Sequence, residues 1–152
     1  KKTERETDMR KILFILAVLC FLMCGCQKNE NSDASEYQDE LSKAQEITVV
    51  SEDTSKITRT ITKDKDLKKF VNALDLEHWK LGELPDDAKK TGTFGFSQEE
   101  TIKFGETKPD EKLYDVCEIT MYDEPYIDLE MGDIHMVFQI TEQTANDLND
   151  YF

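Results

Sequence analysis

Histidine, glycine and apolar runs are all scarce in this sequence, and each scarcity removes a class of function. The main apolar run, Ile12 to Met23 (ILFILAVLCFLM), is twelve residues long, well short of the roughly 20 that a membrane-spanning helix needs. The six glycines form no phosphate-cradling loop and no G-x-S-x-G elbow, so neither a nucleotide cofactor nor a serine hydrolase is expected. With two histidines in the chain, a zinc set would have to draw on His78, His135 and two carboxylates, without the paired spacing that zinc sites show. The acidic strings Asp86-Asp87, Asp123-Glu124 and Asp128, Glu130 and Asp133 lack the loop spacing of a calcium site. No cofactor and no metal are expected. Cations are also in deficit, with 19 Lys+Arg against 33 Asp+Glu and a net charge of −14. Such a surface repels nucleic acid and anionic headgroups, which excludes a nucleic-acid partner and leaves cationic ones, such as a basic protein or peptide.

Three of the four cysteines fall in seven residues, Cys20, Cys24 and Cys26. No further Cys or His follows until His78, so a metal or redox pair lacks its second half. The context fits export better. Arg10-Lys11 precedes the apolar run, small residues follow it, and Met9 reads as the start, with KKTERETD an upstream extension. That is the order of a secretory signal. Met23-Cys24-Gly25-Cys26 resembles the lipobox of bacterial lipoproteins, with Met23 and Cys24 replacing the usual Leu and Ala or Ser. That resemblance implies Cys26 as the lipid-attachment residue and the extracytoplasmic face of the cell membrane as the location. From Cys26 onward the chain holds 14 Lys+Arg and 30 Asp+Glu.

The stretch 26–46 (CQKNENSDASEYQDELSKAQE) is almost devoid of apolar residues and reads as a flexible tether, because it cannot bury enough surface to offset its ordering entropy. Residues 47–152 read as a single domain, after 1–25 as extension plus signal. Ile47 to Val50 and Lys56 to Thr62 form a hairpin around a Glu-Asp-Thr-Ser turn. Leu67, Phe70, Val71 and Leu74 recur at helical spacing, with Thr62 or Asp64 placed to cap the helix. His78 to Asp87 reads as an irregular link. Phe94 and Phe96, then Ile102 and Phe104, mark two short strands, and Gly92, Gly95 and Gly105 suggest bulges or edges. Tyr114–Tyr122, Tyr126–Met131 and Ile134–Ile140 form a meander with tight turns. Thr141 caps a terminal helix whose apolar side is Ala145, Leu148 and Phe152. The fold class is therefore α+β: an antiparallel sheet of hairpin-linked strands with a mid-chain and a C-terminal helix packed on one face.

Three stretches, ITRTITKDKDLKKFVNAL, YIDLEMGDIHMVFQI and ITEQTANDLNDYF, resemble the small uncharacterised lipoproteins of Gram-positive bacteria that carry a YhfM-like domain. The resemblance implies this fold and a membrane-anchored location, and brings no catalytic or ligand residues with it.

For chemistry, Cys117 and His135 lie on neighbouring strands, but parity turns Cys117 toward the core with Ile119 and Met121 and turns His135 outward. A buried structural thiol is expected. Trp79, Phe94, Phe96, Phe104, Tyr114, Tyr122 and Tyr126 read as core and cross-strand pairs, the alternative being a groove lining. With no catalytic constellation in sight, the expectation is a lipid-anchored, non-enzymatic binding or accessory module with outward carboxylates. The alternative is a small-ligand or metal-binding lipoprotein of an uptake or sensing system.

Overall fold

The computed structural model describes residues 34–100 and 112–152. The β-branched and aromatic alternations form seven strands: β1 (Glu46–Ser51), β2 (Lys56–Ile61), β3 (Lys80–Leu81), β4 (Lys90–Glu99), β5 (Leu113–Tyr122), β6 (Tyr126–Met131) and β7 (Ile134–Gln139). All pair antiparallel in one sheet, in the order β2-β1-β4-β5-β6-β7-β3. The hairpin β1–β2 and the meander β5–β6–β7 are those expected, and β4 joins them by pairing with β1 on one side and β5 on the other. Three helices complete the fold: α1 (Gln38–Leu41), α2 (Asp64–Ala73) and α3 (Glu142–Asn149). The α+β class with an antiparallel sheet stands as expected.

Successive residues of a strand face opposite ways, so the register divides the sheet into two surfaces. The inner rows carry the core: Val49, Phe94, Ile119 and Leu129 lie side by side across four strands, and Met121, Ile127 and Phe138 form the next row. All seven are fully buried. Phe70 of α2 packs edge-on against Phe94 at 4.8 Å and against Phe96 at 5.9 Å. Leu67 and Val71 share that helix face, and Ala145 and Leu148 do the same for α3. Thr141 caps α3, its hydroxyl oxygen accepting from the Thr144 N–H at 3.1 Å. The cap expected of Thr62 or Asp64 is not formed: α2 starts after Lys63, and no side chain caps it.

Three further expectations need correction. The first concerns the stretch 26–46, read as a tether. From Ala34 onward it belongs to the folded body, with Ala34, Leu41 and Ala44 in the core cluster and the Tyr37 hydroxyl 3.7 Å from Met136 Sδ. A few small or apolar residues, spaced one helical turn apart, dock an otherwise polar segment.

Second, the link after α2 is less irregular than read. Asp75 adopts a left-handed conformation at φ 52°, which Asp tolerates. A single 3-10 turn, Leu76–His78, then brings Trp79 back onto the core beside Phe138 at 5.3 Å. Its indole N–H donates to the Leu74 carbonyl at 2.6 Å.

Third, β4 is one long strand in the middle of the sheet, so Gly92 and Gly95 are not edge residues. A Cβ at Gly92 would strike the Phe152 ring and lie 2.5 Å from the Val50 carbonyl oxygen, so close packing of the C-terminus explains this glycine. The register does shift between Lys90 and Gly92 and between Phe96 and Ser97, as glycine in a strand often signals. The second strand expected at Ile102 and Phe104 lies outside the described residues, as does Gly105.

Candidate functional site

The outer surface of the sheet gathers the polar groups. One row runs across five strands as Thr48, Gly95, Glu118, Glu130 and His135, each residue opposite the next. The neighbouring row is Val50, Thr93, Thr120, Asp128 and Val137. Glu118 and Glu130 therefore face each other directly, an arrangement of like charges that destabilises a strand pair. Both are exposed, and no ion pair is formed by either among the described residues. A depression of about 300 Å³ lies over this region, lined by Thr48, Gly95, Asp115, Glu118, Glu130 and Gly132 among others. Asp115 accepts a hydrogen bond from the Ser97 hydroxyl at 2.7 Å.

At the other end of the row, His135 Nε2 lies 2.7 Å from Asp128 Oδ2. A carboxylate can only accept there, so the imidazole donates and its Nδ1 is left as the acceptor when the ring is neutral. Asp128 Oδ1 is buried with no hydrogen-bond partner among the described residues. Burial, and then the Asp128 charge, push the Tyr122 phenol upward. An Asp–His pair of this kind orients an imidazole, which is two parts of a nucleophilic triad. Among the described residues no hydroxyl or thiol hydrogen-bonds to the second ring nitrogen.

Cys117 does not supply it. It lies on the inner surface beside Phe96, and burial, with a smaller contribution from Glu118, pushes its thiol up to about 12. This is the buried structural thiol that strand parity predicts. Nor do the two histidines meet: His78 Nδ1 lies 2.8 Å from Asp75 Oδ1 beyond the end of α2, away from the outer row. Among the described residues no group of three or more His, Cys, Asp or Glu side chains is placed to hold a metal ion. Asp86 and Asp87 are exposed in the link before β4, and Asp123 accepts from the Lys89 N–H at 2.7 Å. Trp79, Phe94 and Phe96 are core residues. Phe104 lies outside the described residues, and so does Cys26.

Two features escaped the reading of the sequence. The opposition of Glu118 and Glu130 depends on strand register, which alternation alone does not fix. A cationic pocket beside β2 and α2, lined by Arg59, Lys63, Lys69 and Tyr151, had a visible signal. Six of the chain's basic residues fall between positions 56 and 69.

No family model and no curated protein matches the chain. Among solved structures, one described as a thioesterase-like protein from Clostridium sporogenes is similar, with 19% identity over 74% of this chain and 96% of that one, at a TM-score of 0.40. A likeness at that level assigns no activity to this chain. It does correct the expectation of a non-enzymatic module: a match to a protein described as thioesterase-like removes the ground for ruling out an enzyme, which was the lack of a familiar motif. Among the described residues, no helix is long and apolar enough to cross a membrane.

Proposed function

We propose that this chain is an extracytoplasmic lipoprotein of the YhfM-like kind, held to the cell membrane by a lipid on Cys26, whose outer sheet surface engages a cationic protein or peptide segment. The apolar run and the Met23-Cys24-Gly25-Cys26 sequence support the anchor. Ala34, eight positions after Cys26, is already part of the folded body.

The observation that carries the partner assignment is the direct opposition of Glu118 and Glu130 across β5 and β6, with Asp115 in the same depression. A Lys or Arg side chain seated between the two carboxylates would turn a repulsive pair into an attractive bridge. Electrostatic complementarity of this sort sets the on-rate and the choice of partner more than raw affinity.

The test is fluorescence anisotropy of a lysine-rich decapeptide with the full chain in detergent. Three proteins are compared: unaltered, Glu118→Gln with Glu130→Gln, and Asp86→Asn with Asp87→Asn. All variants that lose two charges weaken non-specific attraction equally. Saturable binding lost with the Glu118/Glu130 pair and kept with the Asp86/Asp87 pair supports the assignment. Equal effects of the two double variants, or no binding at all, overturn it.

A further inference from the structure

A second surface has the opposite sign. Between positions 56 and 69 lie Lys56, Arg59, Lys63, Lys65, Lys68 and Lys69 against Asp64 and Asp66, a local excess of cations in a chain of net charge −14. The fold places them along the edge strand β2 and the helix α2 that follows it. Three of them, Arg59, Lys63 and Lys69, line one cavity of about 320 Å³ together with Asp66 and Tyr151. The ion pairs formed among the described residues lie elsewhere, at Lys43–Glu40, His78–Asp75, Lys90–Glu52 and His135–Asp128. In a chain with so many carboxylates, three cations lining one pocket without an ion-paired partner among the described residues are a departure from what surface charge mixing would give.

The pocket is also braced. Tyr151 stands edge-on to Phe70 at 4.8 Å and to Phe94 at 6.3 Å, both of them core residues. The Arg59 guanidinium lies over the Tyr151 ring at 5.3 Å. That stacking leaves the planar edge of the guanidinium, with its N–H donors, for an oxyanion. Because the core fixes Tyr151 and Tyr151 fixes Arg59, less ordering entropy is lost when an anion arrives.

We propose that this pocket is a binding site for a phosphate-bearing dianion, such as a phosphomonoester or a diphosphate. Arg59 grips two oxygens in the paired geometry that guanidinium and phosphate share. Lys63 and Lys69 neutralise the remaining charge as mobile point cations. With Asp66 counted, the lining carries a net charge of +2, which a dianion balances. Asp66 and the Tyr151 hydroxyl are placed to meet hydroxyl groups on the rest of the ligand. The same chemistry is offered by a free phosphorylated molecule and by a lipid headgroup that ends in a phosphomonoester.

The experiment is titration of the full chain in detergent with inorganic pyrophosphate, followed by 31P line broadening, beside capture on nanodiscs of phosphatidylcholine with or without phosphatidic acid, whose headgroup is a phosphomonoester. Each is run with Arg59→Gln, Lys69→Gln and Lys65→Gln, the last removing one charge from the same helix without touching the pocket. The expected result is saturable binding of one or both phosphate probes, weakened about tenfold by Arg59→Gln or Lys69→Gln, as befits loss of one charge-assisted contact, and unchanged by Lys65→Gln. Pyrophosphate binding without a preference for phosphatidic acid identifies a free anion. The reverse pattern identifies a headgroup. Absence of saturable binding to either probe, or an equal loss with Lys65→Gln, overturns the site. Lys69→Gln keeps the test valid if Arg59→Gln disturbs the packing of Tyr151.

Discussion

Neutralising either member of the Glu118–Glu130 pair should stabilise the protein, the reverse of what most substitutions do. The two residues are directly opposed on one face of β5 and β6, which sets their Cβ atoms about 5 Å apart and their carboxylates about 6 Å apart if they splay. Unit charges at that distance repel by about 0.7 kcal/mol at the dielectric constant of water. Physiological salt, with a screening length of about 8 Å, leaves about half of this, so Glu118→Gln should gain about 0.3 kcal/mol. For a folded body of this size that is a rise in Tm of about 1 °C.

The assay is calorimetric or fluorimetric melting of Glu118→Gln, Glu130→Gln and the double variant, at low salt and in 1 M NaCl. A general effect of lowering a large negative charge would be additive. Removal of a specific pair repulsion is not, because the second substitution finds no partner left to relieve. The double variant should therefore gain clearly less than the sum of the two single gains, and every gain should shrink in high salt. Additive gains, or a loss of stability on replacing either residue, would refute the reading of this row.

Two further outcomes follow from the inner surface. The buried thiol of Cys117 ionises only near about 12, whereas an unfolded cysteine does so near about 8.5. The unfolded chain therefore holds fewer protons in the interval. Stability contributed by the neutral thiol is complete below about pH 8.5 and is lost as pH rises toward 12. Cys117→Ala should flatten that alkaline fall in Tm, and iodoacetamide should leave Cys117 unmodified in the native protein at pH 8. Gly92→Ala should cost about 1–3 kcal/mol by overpacking, as measured by urea unfolding. Pairing it with Phe152→Ala should recover less than the whole loss, because the Val50 carbonyl oxygen 2.5 Å from the new Cβ is backbone and stays.

Much of this architecture was legible because single-period patterns carried it. Ile127 and Leu129 alternate with Asp128 and Glu130, and Leu67, Phe70, Val71 and Leu74 repeat at helical spacing. Both patterns fold as read, since each answers to one buried surface. The N-terminal docking segment was missed because Leu41, Ala34 and Ala44 are too few and too small to outweigh a polar composition, although tertiary packing buries all three. Trp79 sits in a link without periodicity, so nothing local announces that it is 1% exposed. The site was less legible still. Outward carboxylates on β6 were visible, but which residue faces which depends on register, and a bulge between Phe96 and Ser97 moves the pairing by one. The Arg59–Tyr151 contact joins positions 92 residues apart, and no sequence pattern links them.

Metabolic labelling with an alkyne-tagged fatty acid tests the proposed anchor on Cys26. Cells expressing the full chain are compared with Cys26→Ser and Cys24→Ser variants, with the membrane fraction analysed for label. Label is expected on the unaltered protein and on Cys24→Ser, and none on Cys26→Ser. Label retained by Cys26→Ser, or absent from the unaltered protein in a host that acylates lipoproteins, would contradict it.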